Sequence, residues 1–339
     1  MKIEKLNVIS KRYTYFIISG VLIFVSLFLL LGTKLNLGID MTGGTQGEYS
    51  YTNLNISEAR IEIDKISEDI KYESKEIINS TSLYKISGEN KINVVVGYDN
   101  SIETKALEEL KNKFRNKVLK TLVKIDNSIV ETQYINIGKS FGDYIKDTAI
   151  LTLGIAIVFI ALYISWAFSG IASGISTYSF SGITIITLFH DVIISTGLYI
   201  LFSIFFPEFK IDTFFITALL TILGYSINDT IVVFDRIRSN LEKHVKNKLS
   251  LEKIVDMSVL QTLKRSLYTS LTLLFVLITI LFFGPESISG FTLVMIFGTI
   301  VGTYSSIFIA SPLLYEMNKN KKLGIYKKKE INIEDKIVV

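Results

Sequence analysis

Asp229 is a carboxylate inside an apolar run, LGYSINDTIVVFDRIRSN (223–240), and Arg236 and Arg238 stand where that run stops. A charge in hydrocarbon costs about 3 kcal/mol even on the lenient insertion scale, so such a residue has a partner, and its usual work concerns ions or protons. The next apolar stretch opens with QTLKRSLYTSLT (261–272), which places Arg265 at its charged end. If the two stretches are antiparallel helices, Asp229 and Arg265 reach similar depth, and an ion pair offsets part of the burial cost. Two roles fit: a static structural pair, or a carboxylate that alternates between paired-ionised and protonated, pulled one way by burial and the other by the cation. Ser226, Asn228 and Thr230 flank Asp229 and can steady it by hydrogen bonds across helices. His190 and Asp191 lie within a second apolar stretch, TLFHDVIIS. They read either as a relay pair, since histidine changes charge near neutral pH, or as a neutral interior histidine with its hydrogen-bond partner. Asp235, Arg236 and Arg238 read as solvated boundary residues.

Other chemistry is excluded by composition. The 339 residues include no cysteine and only two histidines, His190 and His244. Disulfides, thiolate metal sites and cysteine nucleophiles are therefore absent, and neither a metal site nor a cofactor is expected. The lysine-rich flanks give a net charge of +4. They fit an acidic lipid surface, and no base-reading motif points to nucleic acid. The chain reads as no enzyme.

The elements that carry these residues are membrane spans. Half of the chain is hydrophobic and only 20% is charged, and about 20 apolar residues cross a bilayer as helix. The apolar runs predict six spans, at 13–32, 146–168, 181–204, 213–234, 265–284 and 290–313, with a break in the small, polar stretch 165–180. The first reads as an uncleaved anchor, because no small-x-small cleavage site follows it. Basic residues cluster in the tail 1–12, in the loop 235–264 and in the tail 314–339, which includes Lys327, Lys328 and Lys329. The opposite loops, 205–212 and 284–289, hold only Lys210. Both termini are therefore expected in the cytoplasm. Gly298-x-x-x-Gly302 in the last span is a weak close-packing signal.

Residues 33–145 remain outside as one domain. Its pattern reads strand 47–53, helix 57–70 with Ile61, Ile66 and Ile70 inward, strands 81–87 and 91–97 closed by Gly88, Glu89 and Asn90, helix 101–122 and strand 127–136. That β-α-β-β-α-β order implies an α+β, ferredoxin-like sheet with helices on one face. No acid–base pair or phosphate-cradling loop appears in it, so a binding or moving part is expected. Gly43 and Gly44 in GIDMTGGTQGE (38–48) allow angles closed to other residues, and serve as a hinge or as a tight exit from the membrane.

Several of these segments resemble the SecF family in its own order: GIDMTGGTQGE, INIGKSFGD (135–143, with Lys139 where a proline is usual), LFHDVIIS (188–195), LLTILGYSINDTIVVFDRIRSNL and QTLKRSLYTSLT. The uncharged 165–180 stretch departs from the short arginine-containing loop usual there. The resemblance implies an α-helical polytopic membrane protein of six transmembrane helices, an RND-type half-transporter of the bacterial cytoplasmic membrane. It implies SecD as partner, with the SecY-E-G channel, SecA and the translocating preprotein beyond it, and use of the proton gradient to help export. By the same resemblance Asp229 and Arg265 are the proton-conducting charges, and Gly43, Gly44 and Thr45 form the base of the external domain. Two other readings remain: a small-molecule or lipid exporter of the same superfamily, and a purely structural subunit.

Overall fold

The computed structural model describes residues 7–33, 35–73, 75–86, 89–99, 102–168, 175–244 and 249–320. Parts of the 165–180 break, Gly88 of the expected hairpin turn, Lys2, Lys5 and the lysines at 327–329 lie outside them.

Among the described residues six helices are long and apolar enough to cross a membrane. They are α1 (Arg12–Gly32), α5 (Lys139–Ala167), α6 (Thr177–Phe205), α7 (Thr213–His244), α8 (Leu251–Phe283) and a last rod from Ser289 to Asn318. Between α1 and α5 lie α2 (Ile39–Thr42), β1 (Gly44–Ser50), α3 (Ile56–Asp69), β2 (Lys71–Tyr72), β3 (Lys75–Glu76), β4 (Ile78–Lys85), β5 (Lys91–Tyr98), α4 (Thr104–Ile125) and β6 (Val130–Ile137). The last rod is α9 (Ser289–Ser305), a π turn over Ser306–Ala310 and α10 (Ser311–Asn318). Pro312 lies in its last part and has no N–H to offer the preceding turn. A wider turn just before it relieves that conflict.

The sheet order is β4-β5-β1-β6, antiparallel throughout. Alternate residues of β5 (Ile92, Val94, Val96, Tyr98) meet Ala59, Ile63 and Ile66 of α3 and Leu107, Phe114, Val118 and Leu122 of α4 in one core. The inward face of α3 is thus Ala59–Ile63–Ile66, with Ile70 just beyond it, and Ile61 is 56% exposed. Ile61 is off that face because 59, 63, 66 and 70 already complete a 4-3-4 stripe. The short β2–β3 ribbon went unanticipated.

α8 and α7 outrun the spans read from hydropathy the furthest. α8 starts at Leu251 rather than at 265. Ser250 caps it, accepting from the Lys253 amide at 3.4 Å, and Leu251, Ile254, Val255, Ser258, Val259 and Thr262 are buried along one face. α7 continues to His244, burying Ile237, Asn240 and Leu241 against that extension. Asn240 donates to Ser258 and Gln261, both at 2.9 Å. At the same end Val8 and Ile9 are fully buried, and Asp256 accepts from the Ile9 amide at 3.0 Å.

Glycines set the closest helix approaches. A Cβ on Gly298 would fall 2.2 Å from Ile222, and one on Gly302 would fall 3.0 Å from Ser226. The small-residue pair therefore seats α9 on α7. Gly197 does the same for α6 on α1, where a Cβ would lie 2.1 Å from Ser26 Oγ.

Candidate functional site

α7 carries Asp229 into the interior, where it is 4% exposed and its Oδ2 has no hydrogen-bond partner among the described residues. Opposite it stands α8. Ser266 points inward, fully buried; its hydroxyl acts on Asp229 more than any other group does, yet it stops short of a well-formed hydrogen bond, so its Oγ is likewise unpartnered. Arg265, one residue earlier and so about 100° around the helix, is exposed. Its charge still acts on Asp229, but the described ion pairs do not include one between them. Facing helices bring the two residues near each other without closing the expected pair, because Ser266 occupies the inward position.

The expected steadying residues do other work. Asn228 is exposed, Thr230 donates to the Ser226 carbonyl at 3.3 Å and meets Ser306 Oγ at 3.3 Å, and Ser226 donates to Asp191 Oδ2. Asp191 is the better-connected carboxylate. It is fully buried and accepts at Oδ1 from His190 Nδ1 at 2.8 Å and at Oδ2 from Ser226 and from Ser305 Oγ, the latter at 2.8 Å. His190 Nε2 lies 2.9 Å from Ser19 Oγ of α1. One carboxylate thus joins α6, α7 and α9, and its histidine adds α1. Ser19, Tyr304 and Ser305 gave no signal beforehand, since a lone hydroxyl in an apolar span normally bonds its own helix. A third polar contact runs from Tyr225, which donates to Ser270 at 2.9 Å, to Thr303, 2.5 Å from Ser270.

At the helix end nearer the sheet domain, residues 35–42 are stitched to the α6–α7 loop. Gly38 donates to the Ile211 carbonyl, the Ile211 amide donates to Asn36, and Asn36 Nδ2 reaches the carbonyls of Pro207 and Phe209, at 2.8 to 3.1 Å. Thr213, the first residue of α7, donates to Asp40 in α2 at 3.0 Å. Gly43, Gly44 and Thr45 are all buried here. Gly43 has φ +73°, and a Cβ there would lie 3.0 Å from the Lys139 nitrogen; on Gly44, at φ +150°, it would lie 2.4 Å from the Val96 carbonyl. Only glycine fits such a crossing. The geometry is that of a tight junction between α2, the sheet and the start of α5. Burial holds Asp212 up to about 6 and pulls Lys210 down to about 8.

Asp235, Arg238 and Glu242 form loose surface pairs at 3.5 to 3.8 Å. Among the described residues no cluster of three or more histidine and acidic side chains is placed to hold a metal.

Residues 117–320 match the family described as protein export membrane protein SecD/SecF, C-terminal. The chain belongs to the SecD/SecF family. A SecF translocase subunit of Calditerrivibrio nitroreducens is 34% identical over 94% of this chain and 96% of its own length. One from Helicobacter pylori is 33% identical over 88% and 84%. The crystal structure of SecDF from Thermus, a translocon-associated membrane protein, superposes with TM-score 0.71 at 25% identity. That likeness covers 94% of this chain and 39% of SecDF. The chain is therefore a SecF-type, multi-pass membrane protein, corresponding to about two fifths of a fused SecDF.

Proposed function

We propose that this chain is the SecF half of a SecD–SecF complex in the bacterial cytoplasmic membrane, with both termini cytoplasmic, and that it couples proton passage at Asp229 to Sec-dependent export. The observation that carries the reading is the buried, unpartnered Oδ2 of Asp229 beside the charge of Arg265. An unpaired carboxylate in an apolar interior gains most by taking up a proton, and one facing a cation gains by giving it back.

An open polar face supports the partner. Thr217, Thr221, Gly224 and Asn228 of α7 are exposed at spacings of four, three and four, beside exposed Arg265, Thr269 and Thr272 of α8. Lipid tolerates an asparagine and an arginine poorly, whereas a second set of helices satisfies them. SecD supplies that set, and the SecY-E-G channel, SecA and the emerging preprotein are its working surroundings.

Motion has a continuous route outward. Asp229 and Thr213 share one helix about 24 Å apart, and Thr213 grips Asp40 three residues before the buried Gly43. β6 passes into α5 with one intervening residue, Gly138. A shift or rotation of α7 therefore reaches the base of the outer domain without a slack linker. One charge crossing 100 mV supplies about 2.3 kcal/mol, enough to move a two-state equilibrium about fiftyfold.

The test is export of a secretory preprotein in cells depleted of their own SecF and supplied with this chain or Asp229→Asn, together with the cognate SecD. The chain should restore gradient-dependent export, and the variant should co-purify with SecD yet fail. Equal restoration by both removes the proton from the mechanism. Loss of the complex in the variant makes Asp229 structural, and a drug or lipid phenotype with export intact indicates an exporter.

A further inference from the structure

The hydrogen bonds around His190 can be followed from their fixed end. The Tyr15 carbonyl only accepts, so the Tyr304 hydroxyl donates to it, at 3.2 Å. Tyr304 then receives the Ser19 hydroxyl hydrogen, at 3.4 Å. With its hydrogen committed, Ser19 Oγ meets His190 Nε2 at 2.9 Å as an acceptor. On the other side, Nδ1 faces Asp191 Oδ1 at 2.8 Å, while Oδ2 takes both serine hydroxyls. With the Ser19 hydrogen on Tyr304 rather than on Nε2, both ring nitrogens donate. A carboxylate accepting three donors is an ionised one.

We infer that His190 and Asp191 form a buried imidazolium–carboxylate pair that positions α7, and with it Asp229. The pair is net neutral, which makes its depth tolerable. Both oxygens of Asp191 and both ring nitrogens of His190 have partners, across α1, α6, α7 and α9, so the pair is built into the packing of the helices. The ionisable groups along the central part of the packed helices include Tyr15 of α1, Tyr304 of α9, and Tyr225 and Asp229 of α7. Tyr304 stacks against the imidazole, its ring centroid 6.4 Å away. The link to Asp229 is Ser226, three residues earlier and so on the same helical face. Asp191 thereby fixes the rotation of α7 that turns Asp229 inward and Asn228 outward. This positioning role rests on the proposed function; the charge state of the pair does not.

His190 and His244 are the two histidines of the chain, so His244→Gln leaves a single imidazole to observe. The test uses the full chain bound to SecD in membranes, with 15N-labelled histidine, read by solid-state NMR at neutral pH. Both ring nitrogens of His190 should be protonated, and Asp191→Asn should leave one of them bare. A bare nitrogen in the parent protein overturns the pair. Positioning is tested by a double-mutant cycle on gradient-dependent export, with co-purification measured alongside. Asp191→Asn and Ser226→Ala should each slow export about tenfold, and the double variant should be no slower than the worse single. A double variant about a hundredfold slower, the product of two independent losses, overturns positioning through Ser226. If Asp229→Asn exports normally, the motor reading and the positioning role fail together, and the spectrum still decides the pair.

Discussion

Two carboxylates share the helical interior and are treated in opposite ways. Asp191 has donors on three helices including its own, and both of its oxygens are used. Asp229 is nearly as deep, yet its Oδ2 has none. The first arrangement is how a protein makes a buried charge a part of its architecture. The second leaves the energetic cost of the charge standing, and a group kept in that condition changes state easily. On the proposed function the contrast separates an architectural carboxylate from a working one: both are buried, and incomplete satisfaction is what sets Asp229 apart. Helix position agrees. The Asp191 hub lies among α6, α7 and α9, while Asp229 faces α8, one of the three helices that turn most of their side chains outward.

The sharpest way to break this comparison is to make both residues leucine. Asp191→Leu strands His190, Ser226 and Ser305 together, and removing one partner of a buried charge network costs about 3–5 kcal/mol. The variant should accumulate poorly in membranes and lose SecD on purification. Asp229→Leu removes a charge that has no bond at Oδ2 to lose, so its accumulation and melting temperature in detergent should match or exceed the parent's. Equal loss in both variants would mean that Asp229 is as architectural as Asp191.

A smaller effect is expected where the hub is supported from outside. Gly298 lets α9 lie against Ile222 of α7, one turn before Ser226. Gly298→Ala places a methyl inside the Ile222 side chain, and overpacking of this kind costs about 1–3 kcal/mol. Detergent melting should drop, and Ile222→Ala should recover part of the loss. A variant as stable as the parent would show that the two helices part freely there, and that the hub alone holds them.

Asp229 was legible in the sequence because a charge in a long apolar run is conspicuous by itself. The ferredoxin-like expectation had a similar basis, since strand alternation and helical stripes repeat over short windows, and the observed strand order is compatible with it. The sequence did not disclose that Ser266, and not Arg265, takes the inward position opposite Asp229. One residue of rotation on α8 decides that, and hydropathy does not record rotation. Ser19 and Ser305 were silent for a related reason: their partners, His190 and Asp191, lie 171 and 114 positions away, and a serine in a span looks the same whether it bonds its own backbone or a distant side chain. The start of α8 at Leu251 was missed because charged residues interrupt the apolar run, although 251, 254, 255, 258, 259 and 262 carry a helical stripe.

A third carboxylate, Asp212, stands between the two extremes and offers the finest adjustment. It lies just before α7 and caps that helix, accepting from the Phe215 amide at 2.8 Å, but it is half-buried and faces the charge of Asp40. Burial, and then Asp40, hold it up to about 6 against an ordinary 3.8, while the amides of Phe215 and Phe214 oppose the rise. The folded state therefore binds this proton more tightly than the unfolded chain does. Its contribution is full below about 4 and is lost as pH rises through about 6. Asp212→Asn keeps an oxygen for the cap and never ionises. The variant should be more stable than the parent at pH 7 by about 1–2 kcal/mol, with the advantage vanishing toward pH 4 in melts of the reconstituted protein. An advantage that stays constant between pH 4 and 7 would mean the carboxylate is as well satisfied as Asp191, and that α7 begins at its first turn, as it is pinned at its centre, on a charge the fold accepts without cost.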